Sequence, residues 1–224
     1  ASKEEFVTGK PLPLTDVIIN KDGNMYFAVG GRRTTSALYK VTYVGNESTA
    51  PVKALPLTKG NLLRRELEAL HSLPASQAIV DKAWPYLADS DRFIRHAARV
   101  AIEKQSIDQW KDLFNDEENT WAIIEGACAL ARIGQKSDQP LILKKLNQLD
   151  YVNLNEDQKL AAIRSYQLAF TRHGEPSQAD AQAVIKQLNN HFPSKSNFVN
   201  RELVQVLLYL NASNIIPRAV REMM

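Results

Sequence analysis

A helical register that recurs along the second half of the chain most constrains how it can fold. Residues 127–134 read Ala-Cys-Ala-Leu-Ala-Arg-Ile-Gly, and residues 167–174 repeat the pattern forty positions later as Gln-Leu-Ala-Phe-Thr-Arg-His-Gly. The apolar run at 206–210 matches a further forty positions on, and Ala97, Ala98 and Ala101 match thirty positions earlier. A shared register at periods of roughly 30–47 residues indicates a repeat architecture.

The spacing of apolar residues predicts five pairs of helices. The predicted pairs are 62–73 with 76–88, 91–104 with 107–115, 120–133 with 139–149, 156–172 with 178–191, and 198–210 with 215–224. One pair cannot cover its own apolar surface, and stacking buries it at roughly 25 cal/mol per Å². The sequence therefore predicts a mainly α fold, a right-handed α–α superhelix or solenoid of the HEAT or armadillo type, over residues 62–224.

Residues typical of helix ends support these boundaries. The predicted N-caps are Asp89 or Ser90, Ser106, Asp138 before Pro140, Asn155 with Gln158, and Ser177 with Asp180. Gly134 and Gly174 are predicted to end their helices in the left-handed conformation, which glycine adopts without steric cost.

Residues 1–44 have a different pattern, typical of a small antiparallel β segment. Strands are predicted at 16–20, 25–29 and 38–44, with a turn around Gly23 and a break at Gly30-Gly31. Residues 45–61 contain Pro51, Pro56 and Gly60 and are predicted to be a linker. Because three short strands cannot bury both faces of a sheet, we expect this segment to pack against a neighbour.

Composition narrows the class of partner and of chemistry. The chain has 224 residues and a formal net charge of +3, which is too balanced to favour nucleic acid by itself. Cys128 is the single cysteine, so neither an internal disulfide nor a cysteine zinc cluster is predicted. No apolar stretch approaches the ~18 residues of a membrane span. No phosphate loop, dinucleotide fingerprint or nucleophile motif occurs, so no catalytic, metal or cofactor residue is predicted.

The candidate binding residues are arginines and one histidine. Arg92, Arg95, His96, Arg99 and Glu103 form one polar stripe on the third predicted helix. The stripe fits a basic groove for phosphate or an acidic partner, but the same arginines could bridge neighbouring repeats and cap carbonyl groups. In the turn after Gly31, Arg32 and Arg33 could grip an anion, although a plain hairpin loop explains the same residues.

Other features have similar alternatives. Lys111, Lys144, Lys145 and Lys186 lie on successive second helices and could track a nucleic-acid backbone, or form a solvated face. The apolar company of Trp84 and Trp110 favours core packing over a stacking platform. Cys128 is expected to be a buried inert thiol, because no basic group is placed to lower its pKa.

Several segments resemble a known family. Pro11–Val17, Asp22–Tyr26, Gly30–Thr34 and Leu38–Tyr43 are similar to the closing blade of a sugar-dehydrogenase-like β-propeller, and the segment with Trp84, Asp91–Arg95 and Gln109-Trp110 resembles the HEAT region that follows it. The family comprises large exported bacterial proteins, abundant in planctomycetes, called membrane-bound (sugar- or sorbosone-type) dehydrogenases. They often carry a c-type haem domain. The resemblance implies a periplasmic or extracellular location. It covers most of residues 11–134.

This chain departs from that family in what it lacks. It holds one blade's worth of strands and no Cys-x-x-Cys-His, so no haem is expected on it. We therefore expect a non-catalytic scaffold whose partners are proteins or neighbouring domains of the same polypeptide. An alternative is a nucleic-acid-binding HEAT-like protein similar to the alkylpurine DNA glycosylases, which would need a continuous basic face. A small enzyme of unknown type would need a deep pocket of converging titratable groups.

Overall fold

The computed structural model describes residues 4–48, 50 and 53–223, and it is mainly helical with a small antiparallel sheet near the N-terminus. It divides into two compact units, Ala1–Pro56 and Leu57–Met224. The mainly α class with a preceding β segment is therefore confirmed. The second unit, which is the helical one, begins at Leu57, earlier than the predicted start at residue 62.

Three strands form the sheet in the order β1 (Leu14–Ile19), β2 (Met25–Gly31) and β3 (Thr34–Val41). Gly23 takes a φ of 76° in the β1–β2 turn, as its position predicts. The predicted break at Gly30-Gly31 is wrong, because β2 continues through Gly31, which pairs with Thr34. The hairpin closes over only Arg32 and Arg33, so β3 begins and ends earlier along the chain than predicted.

The sheet is buried on one face only in part. Phe27 and Val29 of β2 are buried, and the Phe27 ring stacks on Tyr39 at 5.0 Å between centroids. All six residues of β1 are exposed, including Ile18 and Ile19. Three strands thus leave large apolar side chains in solvent, as expected of a sheet too small to bury both of its faces.

Within the described residues, the helical unit contains ten α-helices joined by short turns and 3₁₀ segments. They are α1 (Lys59–Ala69), α2 (Gln77–Ala83), α3 (Arg92–Glu103), α4 (Lys111–Asp116), α5 (Thr120–Ile133), α6 (Gln139–Asn147), α7 (Glu156–His173), α8 (Gln178–Leu188), α9 (Asn197–Tyr209) and α10 (Ile215–Met223). We call the odd-numbered members the first helices and the even-numbered members the second helices. None of the helices in the described ranges is long and apolar enough to cross a membrane.

Capping residues explain most helix starts. Asn155 and Gln158 form a reciprocal capping box at α7, and the Ser177 side chain accepts from the Asp180 N–H at α8. At α3 the cap is Asp91 rather than Asp89 or Ser90, because the Asp91 carboxylate accepts from the Phe93 N–H at 2.7 Å. Thr58 and Asn61 cap α1, so this helix begins inside the range predicted as a linker.

Two predictions about helix ends are wrong. Gly134 has φ −75° and ψ −179°, so it is extended rather than left-handed, whereas Gly174 does take a positive φ of 83°. Asp138 does not cap α6. Its carboxylate instead accepts from the Gln135 N–H at 2.8 Å and pairs with Lys111.

The helices pack in a repeated arrangement. Each first helix contacts both helices of the preceding pair: α3 contacts α1 and α2, α5 contacts α3 and α4, α7 contacts α5 and α6, and α9 contacts α7 and α8. Small residues on the first helices permit this approach and are fully or almost fully buried, namely Ala97, Ala98, Ala101, Ala127, Ala131 and Ala169. Gly126 of α5 similarly admits the ring of Phe114. One continuous apolar core therefore runs from α1 to α10.

Candidate functional site

The two arginines of the β2–β3 turn lie at the tip of the hairpin. Arg32 and Arg33 are both exposed, and Arg33 has a φ of 64°, in the left-handed region. No hydrogen bond or ion pair within the described residues engages either guanidinium. The geometry is that of a two-residue hairpin loop with two solvated cations, and it leaves the anion-binding prediction open.

The predicted basic stripe on α3 separates into exposed and engaged members. Arg92 is exposed and its guanidinium lies 4.7 Å from the ring centroid of Phe93, which is also exposed. His96 is exposed, and its Nδ1 lies 2.9 Å from a guanidinium nitrogen of Arg99. Because a guanidinium only donates, Nδ1 is the acceptor in this contact.

Arg95 is buried at the joint between two pairs. Its guanidinium lies 3.6 Å from the ring centroid of Trp121 on α5, and Nη1 donates to the Asp89 carbonyl at 2.7 Å and the Ser90 carbonyl at 3.0 Å. Its Nε is 3.4 Å from the Glu125 carboxylate, without hydrogen-bond alignment. Arg95 therefore bridges repeats and caps carbonyl groups, which is the second of the two interpretations of this stripe.

Further charges extend this joint. Arg99 pairs with Glu103 on its own helix, and its Nε is 2.9 Å from the Glu125 carboxylate on α5. Arg132 Nε lies 2.9 Å from Glu103. We call Arg95, Arg99, Glu103, Glu125 and Arg132 the α3–α5 charge cluster. Each cation in it faces a carboxylate, so the cluster joins neighbouring pairs, while Arg92 and His96 are the stripe members whose side chains are exposed.

Cys128 lies on α5 beside this cluster and is half-buried. Burial raises the pKa of its thiol, and the nearby Arg99 opposes that shift. The expectation that no basic group lies near the thiol is therefore wrong. Desolvation still dominates, so the pKa of Cys128 moves away from that of a reactive thiolate.

Three of the four lysines on the second helices make contacts within the chain, and the exposed Lys144 donates from Nζ to Asn115 Oδ1 at 3.4 Å. Lys145 is buried, and its Nζ donates to the Asn115 carbonyl at 2.9 Å and the Glu117 carbonyl at 2.6 Å. Burial lowers the pKa of Lys145, while Lys111 pairs with Asp138. Trp84 Nε1 also donates to the Glu117 carboxylate at 2.8 Å. These contacts fix the second helices to one another. They also engage lysines of the predicted ladder in contacts within the chain.

Open grooves run between the helices at the C-terminal end of the unit. A groove of about 250 Å³ between α7 and α9 is lined by apolar, amide, hydroxyl and guanidinium groups. Its lining residues are Arg164, Gln167, Phe170, Thr171, Gln205, Val206 and Tyr209. Phe170 stacks on Tyr209 at 5.2 Å, and Tyr209 keeps 45% of its surface exposed. We call this the α7–α9 groove.

The remaining polar features carry no assembled chemistry within the ranges that the structure describes. No group of three or more His, Cys, Asp and Glu residues there could hold a metal ion. His71 Nε2 lies 2.8 Å from the Ala97 carbonyl, at the joint between the first two pairs. Trp84 and Trp110 are buried with their ring centroids 6.0 Å apart, which confirms their prediction as core residues.

Sequence reasoning missed Glu125, the acidic partner that α5 brings to the α3–α5 charge cluster. Glu125 is the single charged residue in the apolar run 121–131 of α5, and that isolation is the signal that marks a buried partner. Comparison of the chain with family models, with curated proteins and with solved structures found no match.

Proposed function

We propose that the helical unit is a non-catalytic α-solenoid scaffold of the HEAT type, which binds a protein partner. The observation that carries the proposal is the repeated seating of each first helix across both helices of the preceding pair, from α3 to α9. Such stacking makes an extended surface from successive helices, which is how repeat proteins present binding faces. We also propose that the successive helix pairs follow a right-handed superhelical path.

The α7–α9 groove is the part of this surface best suited to a peptide segment. Gln205 brings an amide group that can donate to and accept from a peptide backbone, and Arg164 adds a cation. Tyr209 offers a half-exposed ring backed by Phe170. Aromatic and arginine side chains supply much of the binding energy at protein interfaces. An extended peptide with apolar and acidic side chains fits this lining.

We further propose that the chain serves as a module of a larger exported redox protein, as the family resemblance implies. The exposed apolar residues of β1 support this, since Ile18 and Ile19 are of the kind that adjoining strands would cover.

The test places a photo-crosslinking amino acid at Thr171, in the α7–α9 groove, and separately at Gln182, on the exposed side of α8. We expect a defined protein from the cell of origin to crosslink at Thr171 and not at Gln182, and purified partner to compete for it. The same chain is titrated into labelled duplex DNA at low salt. Salt-sensitive DNA binding without any competed protein crosslink would contradict the scaffold and favour the nucleic-acid function.

A further inference from the structure

The fourth pair of helices (α7 and α8) packs on the third pair (α5 and α6) at an interface that buries a histidine, and we call this interface the α5–α7 joint. His173 is the last residue of α7, and neither of its ring nitrogens has a hydrogen-bond partner among the described residues. In the repeat it corresponds to Ile133, since both residues directly precede a glycine. A titratable ring therefore occupies a position that the preceding repeat fills with an aliphatic side chain.

The groups that face His173 do not fully compensate a positive charge on its ring. Burial is the main influence and lowers the pKa of His173. The Asp138 carboxylate and two backbone carbonyl groups at the C-terminal end of α5 oppose this shift, whereas Arg172 adds to it. Asp138 is already engaged, because it pairs with Lys111 of α4 and accepts from a backbone N–H. Protonation therefore puts a poorly compensated charge between α5 and α7.

A second histidine borders the same joint. His191 follows α8, and its ring lies 4.6 Å from the ring of Tyr151, centroid to centroid. Tyr151 is buried in the connection from α6 to α7. Gln187 of α8 holds this connection by donating to the Leu149 carbonyl at 2.8 Å. His191 therefore packs against the segment that links the third pair to the fourth.

The charges that α7 and α10 bring near His191 are positive. Burial lowers the pKa of His191, and Lys159 of α7 adds to this shift. The Lys159 ammonium lies 5.8 Å from the centroid of the Tyr151 ring that His191 contacts. Arg218 of α10 donates to the carbonyl groups of residues 189 and 192, on either side of His191. A proton on His191 therefore adds a third positive charge here, which disfavours the packed state.

The other joints in the described part of the row depend on contacts of a different kind. The α3–α5 charge cluster joins arginine to glutamate and contains no imidazole. Between α7 and α9, Gln167 donates to Glu202 at 2.9 Å. At the first joint His71 Nε2 lies 2.8 Å from the Ala97 carbonyl, and a protonated imidazole can still donate there. Acid therefore weakens the α5–α7 joint more than its neighbours.

We propose that the α5–α7 joint is an acid-sensitive hinge, at which α7–α10 swing away from α1–α6 once His173 and His191 are protonated. A row of repeats permits such an opening, because each part keeps its own packed helices on either side of the break. The segment around Tyr151 remains the covalent link, so the two parts can close again when the pH rises. The hinge is a property of the row and holds whichever partner the grooves bind.

Thiol reactivity at Ser165 tests the hinge, since this buried residue of α7 donates to the Ile124 carbonyl of α5 at 3.4 Å. Ser165→Cys and, for comparison, Ala98→Cys on α3 are each made in a Cys128→Ser background. Their rates with a disulfide reagent are divided by the rate of the exposed Ser213→Cys at the same pH. From about pH 7.5 to about pH 5.5 the Ser165→Cys ratio should rise at least about fivefold and exceed the Ala98→Cys ratio by a similar factor.

Variants of the histidines attribute the rise to these two side chains. His173→Ile supplies the side chain of the matching repeat position, and His191→Phe keeps a ring against Tyr151. Each alone should remove part of the rise, and together they should remove all of it. His96→Gln, on the exposed side of α3, should leave the rise unchanged.

Three results would overturn the hinge. The first is the absence of a rise at Ser165→Cys. The second is an equal ratio for the two buried thiols at about pH 5.5, which would mean that the whole row loosens together. The third is a rise that persists without His173 and His191. Ala162→Cys, fully buried on α7, replaces Ser165→Cys should that chain fail to fold.

Discussion

The guanidinium of Arg95 lies 3.6 Å from the centre of the Trp121 ring, so that one buried side chain joins the helices of two neighbouring pairs. The contact combines cation–π attraction with the Glu125 carboxylate and two backbone carbonyls. The stacking of pairs is thus fixed by polar contacts as well as by the apolar core.

Replacing Arg95 with Met should destabilise the chain by about 2 kcal/mol, because hydrogen bonds from a charged group to the Asp89 and Ser90 carbonyls are lost. Glu125 keeps Arg99 as its partner. Urea denaturation followed by circular dichroism measures the change in the free energy of unfolding. Arg92→Met is the matched control on the same helix, and it should cost less than about 0.5 kcal/mol since Arg92 is exposed. Equal effects of the two substitutions would contradict a structural role for Arg95.

Gly126→Ala should destabilise the chain although alanine is the better helix former. A Cβ at this position would lie 2.6 Å from Cδ2 of Phe114, which is fully buried. Overpacking of this kind costs about 1–3 kcal/mol, against a gain of roughly 1 kcal/mol in helix propensity. Thermal unfolding reports the net loss.

Gly60→Ala in α1 is the control for Gly126→Ala. The nearest atoms to its added Cβ are 3.9 and 4.0 Å away, so no loss of stability is expected. Phe114→Leu should be less harmful in the Gly126→Ala background than alone, because the smaller side chain relieves the clash. Strict additivity of the two substitutions would show that α4 and α5 are not in close contact here.

The free energy of unfolding should fall as the pH is lowered from about 7.5 to about 5.5. The reason is that His173 and His191 are harder to protonate in the folded chain than in the unfolded chain. Burial lowers the pKa of His173 from its usual 6.5, with Asp138 opposing and Arg172 adding to the shift. Burial and Lys159 lower the pKa of His191 in the same direction. The unfolded chain therefore takes up protons first, and stability present above pH 6.5 is lost below it.

Urea midpoints across this pH range, measured for the unmodified chain and for His173→Gln, test the assignment. The variant should show a shallower pH dependence, and His191→Gln a further reduction. Asp138 and Glu202 have lowered pKa values and titrate well below this window, so they do not interfere. An unchanged slope in both variants would contradict the role of the histidines.

Cys128 should react slowly with disulfide reagents near neutral pH. Burial raises its thiol pKa above the usual 9.0 and also limits access. We expect the rate to be at least about tenfold below that of an exposed thiol. Ser213→Cys in a Cys128→Ser background supplies that exposed reference, and urea should remove the difference. Equal rates in the folded state would contradict the burial of Cys128.

Local signals made the helices predictable, and non-local contacts did not. The capping box of Asn155 with Gln158 and the small residues Ala97 and Ala127 are local signals, recognisable within one or two helical turns. The elements and their order could therefore be predicted from the sequence. Gly134 misled because its extended conformation depends on the next segment. Asp138 misled because Lys111, twenty-seven residues away, competes for its carboxylate.

The candidate surfaces were less predictable for the same reason. Arg95 and Arg99 are engaged because Glu125 lies beside them, and this contact depends on how α5 packs against α3. The α7–α9 groove is a product of packing, and Tyr209 carries no motif of its own. Its place in a groove becomes apparent only once α7 and α9 are packed together.

Distances between spin labels along the row of first helices test the central claim most directly. Neighbouring helices pack about 8–10 Å apart, so two steps from α1 to α5 give roughly 16–20 Å and four steps from α1 to α9 roughly 32–40 Å. The first distance is measured between Arg65→Cys and Arg132→Cys in a Cys128→Ser background, since Arg132 of α5 is exposed. The second is measured between Arg65→Cys and Gln205→Cys in a Cys128→Ser background. We predict that the second distance is about twice the first, and two similar distances would mean that the helices close into a bundle.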